Sequence, residues 1–264
     1  MDLSLPATDD KILRPMKKAL LPALLLILFS SLSPAWTSRT YQMVVVKSTK
    51  LMPVSFQRIM RKHREEILRG SLKPDDRGEE FHRYNLESRD GFLKDQISTL
   101  TKSIPEKMAA HRPFREVAED FGRLSHYIAD LNDPLLLEDQ DPRESKYRID
   151  FAVYAEKNME KFPWVFDGHE APMLSDGNLN EYLYQIASST ARKYPRLGEA
   201  YFPNGQLVSS DTFDARSLPF GIASLSYSHS ITHTVQVWFY TWKQGHGDIT
   251  HTPLYKSGKD QEKP

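Results

Sequence analysis

Apolar residues recur at helical spacing along most of this chain, and this periodicity restricts its fold more than any other feature. The alternation typical of β-strands is weak throughout. Proline and glycine stand between the periodic segments, where helix boundaries and loops are expected. The sequence therefore predicts an all-α fold built as a single helical domain. The predicted helices cover residues 54–69, 92–102, 114–131, 147–161, 179–194 and 218–242.

The N-terminal segment resembles an export signal. Met16 is followed by Lys17 and Lys18, an apolar run over residues 19–29, and small residues that end at Ala35, an order typical of a cleavable signal peptide. The apolar run is shorter than the roughly 20 residues that a membrane-spanning helix needs, so no stable membrane anchor is expected. We therefore predict translation from Met16, cleavage after Ala35, and export to a periplasm or the extracellular space. The helical domain then covers residues 36–255, and residues 256–264 form a flexible tail.

The chain contains no cysteine, which excludes disulfide bonds, a lipid attached through cysteine and thiol catalysis. Its 35 basic residues balance 35 acidic ones, and removal of residues 1–35 takes away four basic and three acidic residues, which leaves a net charge of −1. A charge so close to zero disfavours nucleic acid as a partner. The GxSxG, GxGxxG and P-loop patterns are absent, which argues against a serine nucleophile elbow and nucleotide-dependent chemistry.

The helix predicted over residues 114–131 carries the most distinctive chemical pair. A helical wheel at about 100° per residue places an apolar stripe toward the core and His126 with Asp130 on the opposite side, one turn apart. Small residues between these faces would let another helix approach closely: Ala118, Gly122, Ser125 and Ala129. An imidazole and a carboxylate at this spacing suit zinc, but the same spacing is typical of a solvated surface pair. Spacing alone leaves both interpretations open.

A second group of polar residues lies upstream. The segment SLKPDDRGEEFH places Asp75, Asp76 and His82 in a short loop after a helix. Loops on rigid scaffolds often carry metal or substrate ligands, but an ordinary polar turn has the same composition.

Four features together resemble the zinc-dependent phospholipase C family and the related fungal single-strand nucleases. They are Trp36 directly after the predicted cleavage site, the Pro-Asp pair that ends at Asp75, His82, and the segment HYIADLNDPL that begins at His126. In that family the fold is all-helical and three zinc ions cleave phosphodiesters. The resemblance implies that Asp75, His82, His126 and Asp130 bind one zinc ion. It also implies that Trp36 ligates a second ion through its free amine and carbonyl oxygen, with Asp130 bridging the two ions.

The sequence departs from the family pattern at other ligand positions. Tyr41 stands near the place of one family histidine, and Leu136 stands ten residues after His126, where another is expected. Tyr147 and Phe151 align with a His and a Glu that are one turn apart in the family. Leucine and phenylalanine cannot ligate metals. The sequence therefore predicts one zinc site and argues against complete second and third sites.

With one zinc ion, two functions remain open. An exported phosphodiester hydrolase would use zinc to polarise a phosphoryl oxygen and to lower the pKa of an attacking water, with Asp75 or Asp76 as the base. Its substrate would be a phosphate-ester small molecule or a phospholipid head group. Alternatively, a full shell of four protein ligands would make the zinc structural, and the protein would be an inactive exported binding protein. The pattern of substitutions favours the inactive relative more than the surviving ligands do.

Two further polar groups allow more than one interpretation. Asp133 and Glu138, beside Leu136, could recruit a harder cation such as Mg²⁺ or Ca²⁺. His229 and His233 are spaced i, i+4 in the C-terminal helix, where a packing helix with a polar side is the simpler interpretation and a substitute metal site is the alternative. The aromatic residues at 238–242 are expected to anchor that helix in the core.

Overall fold

A computed structural model describes residues 36–137, 141–163 and 165–255, with the side chains of Asp75 and Asp76 excepted. The predicted start at Met16, the signal peptide that ends at Ala35 and the tail over residues 256–264 lie outside the described residues. Within the described ranges there is no β-strand, and a single isolated bridge pairs Asn85 with Asp90. The predicted all-α fold is confirmed.

The α-helices are α1 Ser38–Leu51, α2 Val54–Lys62, α3 Arg64–Gly70, α4 Phe92–Ala109, α5 Phe114–Leu131, α6 Arg148–Asn158, α7 Pro172–Ser175, α8 Leu179–Ala191, α9 Tyr194–Tyr201 and α10 Leu218–Gln244. Short 3-10 helices lie between them at Lys73–Asp76, Glu79–His82, Pro134–Leu136, Glu144–Lys146, Met159–Lys161, Pro203–Gly205 and Ser210–Thr212. None of the helices in the described ranges combines the length and apolar character that crossing a membrane requires.

Helix α1 was not predicted from the sequence. Its N-cap residue, Thr37, accepts a hydrogen bond from the backbone N–H of Thr40, as capping side chains do at helix starts. Its buried positions include Tyr41, Val44 and Ser48, which follow the spacing of three and four residues that a helix face requires. Consecutive β-branched valines, which lower helix propensity, and the polar residues on this face obscure the pattern.

Three predicted boundaries are wrong. The segment predicted as one helix over residues 54–69 is two helices, because His63 leaves helical geometry with φ −115° and ψ 36°. The segment predicted over residues 179–194 ends at Ala191, and Tyr194 begins a separate helix, α9. The helix predicted over residues 92–102 continues to Ala109, with Pro105 inside it, although proline usually marks a boundary. The buried side chains of Leu100 and Ile104 hold this part of α4 on the core despite the lost hydrogen bond.

Helix α5 lies at the centre of the fold and packs against α1, α3, α4 and α10. Its approach to α3 depends on two glycines. A Cβ atom on Gly122 would collide with the carbonyl oxygen of Ile67, and a Cβ atom on Gly70 would collide with the carbonyl oxygen of Glu119. The expected close approach through small residues is thereby confirmed at Gly122. It brings Ser71, the residue that follows α3, alongside α5.

Helix α10 is anchored by aromatic side chains, as predicted. The indole Nε1 of Trp238 donates a hydrogen bond of 3.0 Å to the carbonyl oxygen of Phe121 in α5. The rings of Phe56 and Phe121 pack against both Trp238 and Trp242 with tilted and edge-to-face geometry. This cluster fixes α10 against α5 and therefore fixes the polar residues that both helices carry.

Candidate metal centre

Three buried side chains converge beside α5: His82, His126 and Asp130. One potential ligand atom from each lies within 4.8 Å of the other two. His126 and Asp130 come from successive turns of α5, and His82 ends the 3-10 helix Glu79–His82. His126 and Asp130 are 0 % exposed and His82 is 8 % exposed. The alternative of a solvated His126–Asp130 surface pair is therefore wrong, because Gly122 and its neighbours draw α3 over this face of α5.

Backbone carbonyls orient both imidazoles. Nδ1 of His126 donates to the carbonyl oxygen of Ser71 at 2.7 Å, and Nε2 of His82 donates to the carbonyl oxygen of Pro74 at 3.2 Å. Since a carbonyl oxygen only accepts, these two ring nitrogens carry hydrogens. The opposite nitrogens, Nε2 of His126 and Nδ1 of His82, are directed toward the carboxylate of Asp130. Metal-binding histidines typically have this arrangement, in which the outer N–H is held by a carbonyl or carboxylate.

The distances between the inner atoms test whether a zinc ion fits. In a tetrahedral site with Zn–N and Zn–O distances of about 2.0–2.2 Å, two ligand atoms lie roughly 3.3–3.6 Å apart. His126 Nε2 lies 3.4 Å from His82 Nδ1 and 3.3 Å from Asp130 Oδ2, which agrees with this value. His82 Nδ1 lies 2.7 Å from Asp130 Oδ2, which is a hydrogen-bond distance. The types and spacing of these donors therefore fit zinc, and the shorter His82–Asp130 edge is a hydrogen bond between two of the proposed ligands.

The carboxylate of Asp130 stays ionised despite its burial. Burial by itself raises the pKa of this carboxyl, but the adjacent His126 and His82 outweigh that effect and hold its pKa below the usual range. An ionised carboxylate is the form that binds a metal ion.

Tyr41 supports the centre from α1. Its hydroxyl donates to Oδ1 of Asp130 at 2.5 Å, and its ring stacks on His126 with centroids 3.9 Å apart. One carboxylate oxygen of Asp130 thus accepts a hydrogen bond from the Tyr41 hydroxyl, and the other faces the two histidines. An Asp130 bridge to a second ion, which the resemblance implies, would require displacement of this hydroxyl. The sequence marked Tyr41 only as a substituted histidine, because its partner lies 89 residues away.

For the other predicted site residues, Trp36, Asp75 and Asp76, the structure describes only part of what their predicted roles require. Trp36 is buried, its indole Nε1 donates to the carbonyl oxygen of Ala129 at 3.2 Å, and it adjoins the turn that carries Asp130. Its predicted role depends on a free amine after cleavage at Ala35, which lies outside the described residues. The backbone of Asp75 and Asp76 lies in the 3-10 helix Lys73–Asp76, directly after the Pro74 carbonyl that holds His82. Their side chains lie outside what the structure describes, so their predicted ligand and base roles stay predictions.

The residues that stand where the resemblance would place further ligands lie in the hydrophobic core. Leu136, Tyr147 and Phe151 are all buried, and the Phe151 ring lies 6.5 Å from the Trp36 ring. Among the described side chains, only His82, His126 and Asp130 form a convergent group of three or more His, Asp or Glu residues. This group is the part of the predicted first site that the structure describes.

Asp133, one turn beyond Asp130, is a buried carboxyl with incomplete hydrogen bonding. Its Oδ1 accepts from the backbone N–H of Leu135 at 2.8 Å, and its Oδ2 has no hydrogen-bond partner. Burial raises the pKa of Asp133 to about 7. Glu138, the other residue proposed for a hard cation, lies outside the described residues, so that prediction stays open.

The fold is shared with clostridial toxins. The structure is similar to the alpha-toxin of Clostridium perfringens from avian strain SWCP, with a TM-score of 0.61 and 12 % identity over 79 % of this chain. It is also similar to the alpha toxin from Clostridium absonum, with a TM-score of 0.60 and 14 % identity over 83 % of this chain. The matches cover 64 % and 65 % of those toxins, so the chain spans less than two thirds of their length. No protein-family model matches the chain, and no curated protein is significantly similar to it.

These neighbours establish that the chain has the helical fold of the clostridial alpha-toxins. The resemblance suggested by Trp36, Asp75, His82 and the segment from His126 is confirmed at the level of this fold.

Proposed function

We propose that this protein is a metal-dependent phosphoric ester hydrolase of the phospholipase C type that works with a single zinc ion. The convergence of His82, His126 and Asp130, with the outer nitrogens of both imidazoles held by carbonyl oxygens, is the observation that carries the proposal. The shared helical fold supports it. The proposed substrate is a small phosphate ester or a phospholipid head group.

His82 Nδ1, His126 Nε2 and Asp130 Oδ2 would hold the zinc ion. When bound, zinc supplies a Lewis acid that polarises a phosphoryl oxygen and makes water a stronger nucleophile. The chain itself holds the ligands in place: Ser71 and Pro74 fix the imidazoles, and Tyr41 fixes the carboxylate. We assign the role of base to Asp75 or Asp76. These are the two residues after Pro74, whose carbonyl oxygen accepts the hydrogen bond from His82.

A second candidate function is favoured by the burial of the ligands. His126 and Asp130 are fully buried, and apolar or aromatic side chains fill the positions of the other family ligands. A catalytic zinc needs an open coordination position, whereas a structural zinc is fully enclosed by protein. The alternative is therefore an inactive relative that keeps a structural zinc and acts as an exported binding protein.

The experiment combines metal content with turnover. Protein dialysed against metal-free buffer is assayed for retained zinc and for hydrolysis of a chromogenic phosphocholine ester and of single-stranded DNA. The proposal expects about one retained zinc ion per chain and turnover of the ester, both lost in His126→Ala. The matched control is His111→Asn, which alters an exposed histidine outside the cluster and should retain both. Retained zinc without turnover establishes the structural alternative, and the absence of zinc refutes both functions.

We further propose that the protein is exported after cleavage behind Ala35. The order of basic, apolar and small residues over 16–35 supports this. Mass spectrometry of the N-terminal peptide from the native host tests it. A mature chain that begins at Trp36 is expected, and one that retains residues 16–35 contradicts both export and the role of the Trp36 amine.

A further inference from the structure

A second pair of histidines lies on α10, outside the centre described above. His229 and His233 are one turn apart, both are half-buried, and their ring centroids lie 5.3 Å apart. The corresponding distance between His82 and His126 is 5.2 Å. With a Zn–N distance of about 2.0–2.1 Å, two imidazoles that share one tetrahedral ion have ring centroids roughly 5 Å apart. The pair is therefore spaced as two ligands of one ion.

The chain also determines which nitrogen of His233 can bind. Nδ2 of Asn132 donates to the carbonyl oxygen of Ile128 at 2.8 Å, which fixes the orientation of the amide. Its Oδ1 therefore faces His233 and accepts a hydrogen bond of 2.9 Å from Nδ1. An amide oxygen only accepts, so Nδ1 carries the hydrogen and Nε2 of the neutral ring carries the lone pair. This is the outer hydrogen bond that orients and sets the tautomer of metal-binding histidines.

Burial disfavours the protonated form of both rings. Burial, together with His229 and Lys193, lowers the pKa of His233 to about 3. Burial also lowers the pKa of His229, with Lys193 acting in the same direction and Asp167 opposing it. Neutral imidazoles are poor partners for an anion but good ligands for borderline divalent metals. The nearby charges have opposite effects on a cation: Asp167 attracts it, and Lys193 repels it.

We propose that His229 and His233 form a second, exchangeable site for a borderline divalent transition metal such as Zn²⁺, Co²⁺ or Ni²⁺, with water completing the coordination shell. Imidazole is a preferred ligand of these ions. The site does not depend on the proposed hydrolase activity. It differs from the buried centre because both of its imidazoles are partly exposed, so its ion exchanges with solvent.

The test is a titration of the full chain with Co²⁺, followed by visible absorption and by the imidazole signals in NMR spectra. Wild-type protein is expected to bind a second, weaker equivalent that shifts the signals of His229 and His233. His229→Gln should lower the Co²⁺ affinity of the second site by at least roughly 10- to 100-fold, which is the loss that follows removal of a residue hydrogen-bonded to a metal ligand. His111→Asn is the control and should bind as wild type does. Unchanged affinity of the second equivalent in His229→Gln overturns the proposal, as does its absence from wild-type protein.

Two charge variants distinguish a cation site from a purely structural pair. Lys193→Met removes a repelling charge and should tighten Co²⁺ at the second site, whereas Asp167→Asn should weaken it. Equal affinity in both variants and in wild type overturns the proposal. His126→Ala separates the two centres, because it should abolish the tight equivalent and leave the weak one. Loss of both equivalents in His126→Ala, with the fold retained by circular dichroism, contradicts an independent second site.

Discussion

Removal of the Tyr41 hydroxyl should destabilise the protein by a predictable amount. This hydroxyl lies 2.5 Å from Oδ1 of Asp130, and both side chains are buried. A hydrogen bond to a charged group contributes about 1.5–3 kcal/mol, and loss of one partner leaves a buried carboxylate short of a donor. Tyr41→Phe keeps the ring that stacks on His126 at 3.9 Å, so only the hydroxyl changes. We expect the free energy of unfolding to fall by about 2–3 kcal/mol.

The measurement is urea unfolding of the metal-free protein at neutral pH, with the midpoint and the slope followed by circular dichroism. Tyr147→Phe is the matched control, because Tyr147 is also buried but its hydroxyl has no hydrogen-bond partner. This control should leave the free energy of unfolding nearly unchanged, or raise it slightly. Similar losses in the two variants would show that the Tyr41–Asp130 hydrogen bond does not support the centre, and the reasoning would be refuted.

The same variant should also affect metal binding. Tyr41 touches a proposed ligand from outside, and loss of such a partner typically costs about 10- to 100-fold in metal affinity. Competition with a chromogenic chelator measures this affinity in Tyr41→Phe and Tyr147→Phe. An unchanged zinc affinity in Tyr41→Phe would show that Asp130 does not need this support.

Three further predictions concern the surroundings of the centre. Gly122→Ala should destabilise the protein by about 1–3 kcal/mol in chemical unfolding, because a Cβ atom there meets the Ile67 carbonyl oxygen and forces α3 away from α5. Asp133→Asn should become progressively more stable than wild type as the pH rises. The pKa of the Asp133 carboxyl is about 7 in the folded protein and about 3.9 in the unfolded chain. Between these two pH values the folded state of the wild type loses stability as the pH rises, by up to about 1.4 kcal/mol for each pH unit, and Asn at this position does not titrate. Zinc at 100 times its dissociation constant should raise the free energy of unfolding of wild-type protein by about 2.7 kcal/mol in thermal or urea unfolding, and should have no such effect on dialysed His126→Ala.

Periodicity alone predicts much of this fold. The segment 114–131 is predicted and observed with the same bounds, because its apolar stripe repeats without interruption and Pro113 precedes it. Periodicity does not predict α1, where valines and polar residues obscure the apolar stripe. It also does not predict that the helix continues past Pro105, which tertiary packing holds inside α4. In both cases burial against α5 outweighs the low helix propensity of the local residues.

The sequence also predicts one part of the candidate centre and not another. The spacing of His126 and Asp130 follows from one turn of a helix, so sequence predicts it directly. The supporting contacts from Tyr41 and from the Ser71 carbonyl join residues 89 and 55 positions apart. A backbone carbonyl leaves no trace in residue identity, because every residue has one. The orientation of the imidazoles therefore could not be predicted.

The sequence by itself determined the all-helical architecture, the absence of disulfides and the imidazole–carboxylate pair on α5, since each depends on composition or on spacing within one helix. Only the tertiary structure decided that this pair is buried and that Tyr41 holds Asp130, whereas the resemblance already implied His82 as a partner of the pair. The reason is that burial and hydrogen-bond partners are set by which helices meet, and the glycines at positions 70 and 122 let α3 meet α5 closely enough to enclose the site.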